Sequence, residues 1–250
     1  MVWEREITIE GKNFQVTISD EYEALRSALA EGRAVIGLWD RNRTDQCLSP
    51  ASYLVESYED VTSELMERVV RRKEGMPWNI TDTRRLLIRE FVTADADEIL
   101  KEPDGGENGA LFYDRNTLQS YIRQQYGFYE YGIWALYDRE IKTIVGKAGL
   151  FNFDPGENEE LNSLMKKNDT PLELGYHIFT PYRRQGYAKE ACQAILTYAA
   201  SSSLTEKIYA RVLEENRASV SLLKSLGFQL TARTHSGSAS PQCLYEWNCL

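Results

Sequence analysis

Apolar and polar residues alternate over Val2–Ile9 and again over Phe14–Ile18, with Glu10-Gly11-Lys12-Asn13 between the two runs. A period of two interrupted by a glycine-bearing break predicts a β-hairpin. Asp20 stands where an N-cap belongs, and Tyr22, Leu25 and Leu29 share one face of a helix that Gly32 ends. Ala34–Trp39 is a continuous apolar run of the buried-strand type, and Ser52–Glu56 is a candidate short strand. A second helix, about Val61 to Lys73, buries Val61, Leu65, Val69 and Val70. It ends in the basic run Arg68–Lys73, where cations complement the helix dipole. Gly75, Pro77 and Asn79 then break the pattern and mark a linker. Residues 1–80 therefore read as a small α/β unit, with no phosphate loop, nucleophile elbow or metal cluster.

A second pattern starts at Thr83. Thr83–Phe91 reads as a strand and Thr93 opens a helix to about Lys101, followed by a Gly-rich acidic loop, Pro103–Gly109. Asn116–Tyr126 is a helix with Leu118, Tyr121, Ile122 and Gln125 in register. Strands follow at Gly132–Tyr137 and Thr143–Phe153, then a long polar insertion, Asp154–Thr170. Leu172–Phe179 (strand), Gly186–Ser201 (helix), Lys207–Val212 (strand), Ser219–Leu226 (helix), Phe228–Thr234 and Gln242–Asn248 (strands) complete the chain. The order β-α-α-β-β-β-α-β-α-β-β predicts an α/β (α+β) domain over residues 81–250: a mixed sheet with helices on both faces.

Composition narrows the function classes. No apolar run reaches the roughly 18–20 residues that cross a bilayer, and the first residues lack the layout of a secretory signal. Cys47, Cys192, Cys243 and Cys249 have no metal-ligand spacing and read as reduced thiols of a cytoplasmic protein. His177 and His235 are too few for a histidine metal site, so no metal is expected. A net charge of −9 argues against nucleic acid and is compatible with a cationic amine partner or with a merely solubilising surface.

The chemistry concentrates between Leu172 and Ala200. A strand runs through Arg183-Arg184-Gln185-Gly186-Tyr187-Ala188 into a helix N-terminus. Such a turn aims several unpaired amides and the helix dipole into one space, an anion site suited to a diphosphate. Gly186 removes a Cβ from the approach, and the two arginines add charge. An ordinary helix start beside a solvated arginine pair is the plainer alternative.

Arg183-x-x-Gly186-x-Ala188 resembles the (Gln/Arg)-x-x-Gly-x-(Gly/Ala) motif of the GNAT N-acetyltransferase superfamily. Glu173-Leu174-Gly175-Tyr176 precedes it, and Asn216-x-x-Ser219 and Leu226-Gly227-Phe228 follow in order. The combination is most similar to the ribosomal-protein N-terminal acetyltransferases and their relatives, over about residues 83–248.

The resemblance implies the acyl-CoA N-acyltransferase fold, acetyl-CoA as co-substrate and direct transfer to an amine. It implies pantetheine pairing along the backbone of Ile178 and Phe179, pyrophosphate on the amides of Arg184, Gln185, Gly186, Tyr187 and Ala188, and a contact from Asn216, which also suits a helix N-cap. A backbone N–H near Phe179 would polarise the thioester carbonyl. An ammonium must lose a proton before it attacks. Glu173 is the candidate base, against a plain strand glutamate, with His177 a weaker alternative. Many relatives carry a tyrosine seven residues after the asparagine, where this chain has Leu223; Ser219 is the nearest hydroxyl and the candidate contact for the leaving thiolate. Tyr121, Tyr126, Phe128, Tyr129 and Tyr131 around Glu130 are candidates for an acceptor pocket or for core. Two further readings stand beside the enzyme: a non-catalytic acetyl-CoA sensor, and an interaction protein that has kept only the fold. Residues 1–80 would bind a partner, support a homodimer or complete the acceptor pocket.

Overall fold

The computed structural model describes residues 1–102, 110–155, 170–234 and 241–249. The Pro103–Gly109 loop, residues 156–169 of the polar insertion with their glutamates and Lys166-Lys167, and His235 lie outside these. The chain forms two compact units, residues 1–78 with 119–129 and residues 79–118 with 130–250.

In the first unit, β1 (Val2–Ile9) and β2 (Lys12–Ser19) pair antiparallel in continuous register. The turn is tighter than the sequence reading: Glu10 and Gly11 alone turn the chain, with φ of 52° and 77°. Positive φ at both central residues is the type I′ signature that matches strand twist. Helix α1 (Tyr22–Ala30) leads to β3 (Ala34–Leu38), which lies parallel to β2 and to the two-residue β4 (Leu54–Val55). Asp20 is not the cap of α1. Its carboxylate turns to the Met1 amine and to Arg43, while Ser19 Oγ accepts the Glu21 amide. Helix α2 (Ser63–Lys73) is capped by Thr62, whose Oγ1 accepts from Leu65 N–H at 3.1 Å. Successive residues of β3 enter two clusters: Ile36 packs with Val16, Ile18, Met66 and Val70, and Val35 packs with Leu25 and Ala28. That explains the unbroken apolar run in β3. The basic end of α2 is neutralised along its own face, Arg68 by Glu64 and Arg71 by Glu67.

The second unit carries an eight-stranded mixed sheet in the order β11-β12-β10-β9-β8-β7-β6-β5. Its strands are β5 (Asn79–Asp82), β6 (Leu86–Arg89), β7 (Ile133–Asp138), β8 (Thr143–Asn152), β9 (Leu172–Ile178), β10 (Lys207–Leu213), β11 (Gln229–Thr234) and β12 (Gln242–Asn248). Pairing is antiparallel throughout except between β9 and β10. The linker expected at Gly75–Asn79 ends in strand β5, whose sequence Asn-Ile-Thr-Asp carries too little apolar signal to announce itself. The helix expected from Thr93 is a single turn, α3 (Asp95–Glu98). Asp95 is buried there, accepting from both Arg89 Nη atoms and from Val92 N–H at 2.8–2.9 Å. Helix α4 (Arg115–Tyr121), whose residues from Gln119 on belong to the first unit, continues as a π-helical turn, Ile122–Tyr126, rather than as one regular helix. Helix α5 (Tyr187–Ser201) buries Tyr187, Ala191, Cys192, Ile195, Leu196 and Ala199, an apolar stripe at helical spacing. Helix α6 (Arg217–Ser225) is capped by Asn216. No helix among the described residues is long and apolar enough to cross a membrane.

Candidate active site

The site begins as a defect in the sheet. β9 and β10 are each seven residues long, yet they pair only at Leu172–Ile208 and Glu173–Tyr209. Both are held along their other edges, β9 by β8 and β10 by β12 over its whole length. Beyond Glu173 the two strands therefore part, and a cleft opens between their backbones. Phe179, expected to share the pairing edge, is excluded from it: its N–H donates to the Val145 carbonyl at 3.0 Å, toward β8. By the alternation of strand backbone groups, Leu174, Tyr176 and Ile178 direct theirs to the cleft. The Ile178 carbonyl accepts from Arg183 Nε at 2.9 Å, leaving its N–H and the Tyr176 peptide groups on that edge.

The cleft widens into a groove of about 640 Å³ bordered by Tyr176, Ile178, Arg184, Gly186, Ala188, Asn216 and Ser219. That volume suits a small organic ligand. Arg184 and Gly186 both take positive φ, 60° and 85°, so the loop curls before α5 begins. The first main-chain bond of α5 runs from Glu190 N–H to the Gly186 carbonyl, and the amides ahead of it have no partner within the helix. A Cβ on Gly186 would meet only Arg85 Nη2, at 3.5 Å, so its own backbone demands glycine more than crowding does. The side chains of this segment diverge in role. Tyr187 is buried with its hydroxyl on Asp138 at 2.7 Å, so that hydroxyl is committed inside the protein. Gln185 Nε2 donates to the Pro181 carbonyl, and Arg183 folds back on β9 instead of standing free. Arg184 stays exposed and lines the groove.

Glu102 anchors the loop from the other side, a residue that the sequence motifs do not single out. Its carboxylate accepts from Thr180 N–H at 2.6 Å and pairs with His177 Nε2 at 2.9 Å. Burial opposes its ionisation, but these hydrogen bonds prevail and bring its pKa down to about 2. His177 is thus occupied by a carboxylate.

A second cavity of about 320 Å³ adjoins the groove and shares Tyr176, Asn216 and Ser219 with it. Glu173 lines it, buried to 8% exposure, and faces Arg211 Nη2 at 3.1 Å. It is neither a solvent-facing strand residue nor isolated. Burial raises its pKa above the usual carboxylate range, with Arg211 pulling the other way. Arg211 itself lies 4.8 Å over the Phe153 ring. It sits two residues beyond Tyr209, the partner of Glu173, so opposite charge on neighbouring strands was the available signal. Asn216 Oδ1 accepts from Ser219 N–H at 3.1 Å, and Leu223, 1% exposed, completes the wall. The aromatic segment expected near an acceptor divides between the units. Tyr126 is fully buried with its ring edge-on to Tyr121, Phe128 is exposed against Tyr129, and Glu130 and Tyr131 belong to the second unit.

A family model for the acetyltransferase (GNAT) domain matches residues 85–229, the stretch that carries both parted strands and the curled loop. The chain is 27% identical over 159 residues, 60% of its length, to the uncharacterized N-acetyltransferase YoaA of Bacillus subtilis (strain 168), covering 82% of that protein. Its fold is similar to the ribosomal-protein-S5-alanine acetyltransferase of Vibrio fischeri (TM-score 0.54, 14% identity, 67% of this chain and 95% of that one). It is also similar to the microcin C7 self-immunity acetyltransferase MccE, solved with acetyl-CoA and AMP (TM-score 0.50, 15% identity, 66% and 93%). These likenesses show the fold and leave the subgroup open. The chain belongs to the GNAT acetyltransferase family.

Proposed function

We propose that this chain transfers the acetyl group of acetyl-CoA to a primary amine by direct attack, and that the two joined cavities hold donor and acceptor. The observation that carries this reading is the continuity of the parted β9–β10 cleft: the curled loop lies at one end and the buried Glu173 at the other. The residues fit acetyl-CoA. Amides of Arg184 to Ala188 and the Arg184 side chain suit a diphosphate, the open Ile178–Tyr176 edge suits an extended amide arm, and Asn216 faces that arm. Acetyl-CoA supplies the activated acetyl thioester. Ile178 N–H, in place of the engaged Phe179 N–H, is the donor directed at the carbonyl.

Glu173 takes the amine proton, directly or through one water. A carboxylate whose pKa is raised by burial is a stronger base than a solvated one, and this is the property the step needs. Arg211 keeps it ionised and oriented. Ser219 stands at the junction where sulfur leaves. The Vibrio fischeri protein acts on a ribosomal-protein alanine by its name, and a protein N-terminus is one acceptor class for this chain beside small-molecule amines. The test is a screen of amines and N-terminal peptides by release of free thiol from acetyl-CoA. Thiol release that depends on one amine class and vanishes in Glu173→Gln supports the enzyme; tight acetyl-CoA binding with no release for any amine makes the chain a sensor.

A further inference from the structure

The charged groups that line the smaller cavity are Glu173 from β9 and Arg211 from β10, and they stand side by side. The rest of the lining is neutral, with Gln242 polar and Leu174, Leu213 and Leu223 apolar. Such a wall suits neither a polycation, which would meet the guanidinium, nor a plain anion, which would meet the carboxylate. Arg211 is held in place from its own side of the cavity. Its guanidinium lies 4.8 Å over the Phe153 ring, and Nη2 donates to the Asp154 carbonyl as well as to Glu173. Nε is buried and has no partner among the described residues. The side chain is still 26% exposed, so its terminal nitrogens are the part that a ligand in the cavity meets.

With Glu173 as the base, this ion pair cannot persist through the reaction. Taking the amine proton neutralises Glu173 and leaves the half-buried Arg211 beside an uncharged carboxyl. A buried cation stripped of its partner is costly. An acceptor that brings its own anion removes that cost. The anion must lie close to the reacting nitrogen, because Glu173 Oε2 and Arg211 Nη2 are only 3.1 Å apart. An α-amino acid meets this condition, since its ammonium and carboxylate are borne by the same carbon.

We propose that the acceptor is a free α-amino acid, and that Arg211 is the specificity-determining residue, binding the acceptor's carboxylate while Glu173 faces its ammonium. This rests on the reading of the joined cavities as donor and acceptor sites. The product is an N-acetyl amino acid. The nitrogen–carbon bond forms as the carbon–sulfur bond breaks with its electron pair going to sulfur. Of the two protons that the ammonium loses, one leaves through Glu173 to solvent and the other ends on the CoA thiol. A peptide N-terminus has a neutral amide where the carboxylate belongs, and it leaves Arg211 uncompensated.

The test measures thiol release from acetyl-CoA with each of the twenty common L-amino acids and with its α-amide, which stands for a peptide N-terminus. It uses the intact wild type, Arg211→Gln and Arg211→Lys. The amide has the less basic amine and loses its proton more easily, so chemistry alone favours the amide. In the wild type at least one acid should nevertheless exceed its amide in kcat/KM by about ten- to a hundredfold, the scale of a charge-assisted pair. That ratio should fall to about one in Arg211→Gln and recover in part in Arg211→Lys; a merely structural arginine would lower both rates and leave the ratio. Should the variants not fold, the wild-type ratio decides alone. Amides used as well as acids, a ratio unchanged in Arg211→Gln, or no acid accepted overturns the proposal. Acetyl-CoA titrated in parallel separates the two readings: cofactor binding with any of those results refutes the amino-acid acceptor alone, and absence of cofactor binding refutes the site itself.

Discussion

Arg85 Nε donates to Glu190 Oε2 at 2.7 Å, and the same guanidinium reaches the Gln185 carbonyl through Nη1 at 3.0 Å. Thr83 Oγ1 and Arg85 N–H donate to the other oxygen of Glu190, and the Arg85 guanidinium lies 4.2 Å over the Tyr187 ring. The turn between β5 and β6 thus grips the curled loop and the first turn of α5 together. Burial disfavours the Glu190 charge, but these donors hold its pKa below the ordinary range. Glu190→Gln loses the charge-assisted part of this grip. It should weaken acetyl-CoA binding about threefold to tenfold, the scale of one such hydrogen bond, while kcat changes little. Titration calorimetry beside steady-state kinetics checks this; a fall in kcat at unchanged affinity would mean that the network serves the chemistry instead.

Gly186 has a φ of 85° and an open approach on the groove side. Gly186→Glu adds backbone strain of about 1–2 kcal/mol and an anion where the diphosphate is expected. The variant should fold, by circular dichroism, and bind acetyl-CoA at least about a hundredfold more weakly, a change of about 3 kcal/mol. Normal affinity would mean that the diphosphate lies elsewhere.

Glu173→Gln should lower kcat by about 10²–10⁴-fold with acetyl-CoA affinity held. The pH profile carries a second readout. Glu173 must be ionised to accept a proton, so kcat rises with pH through its pKa. Burial lifts that midpoint above the ordinary value of about 4.3, and the limb should vanish in the variant. A wild-type rate flat across the acidic range would remove Glu173 as the base.

The Glu102–His177–Thr180 contacts make a prediction about stability. A carboxylate whose folded pKa is depressed contributes stability that is complete above its unfolded pKa and is lost as pH falls through the folded one. For Glu102 that window runs from about 4.3 in the unfolded chain down to about 2. Glu102→Gln should therefore cost about 1–3 kcal/mol near neutral pH. The cost should shrink on acidification through this window, as followed by urea melts at several pH values. A cost independent of pH would locate the effect in packing.

Much of the second unit was legible because its strands are apolar and its loop motif is local. Leu172–Ile178, the Gly186 turn and the Asn216 cap each declare themselves within a few neighbouring residues. What escaped depends on partners far along the chain. Arg85 and Glu190 are 105 positions apart, and His177 and Glu102 are 75 apart. β5 is short and polar, and α3 is a single turn whose first residue, Asp95, is bound by Arg89 from β6. Asp20 has the chemistry of a cap but finds Met1 and Arg43. Phe179 was misplaced by one step of the pleat, which is enough to turn a peptide group from the cleft to β8. The parting of β9 and β10 left no mark in either strand's own sequence, since it follows from which neighbours hold their outer edges.

The central claim is that the parted strands and the curled loop together bind acetyl-CoA. Titration calorimetry of the intact protein with acetyl-CoA and, separately, with CoA tests it most directly. One site per chain and micromolar affinity for both are expected, a binding free energy of about −8 kcal/mol. Absence of heat and of competition at high concentrations of both would contradict it, and would leave a chain that keeps the fold of its family without its co-substrate.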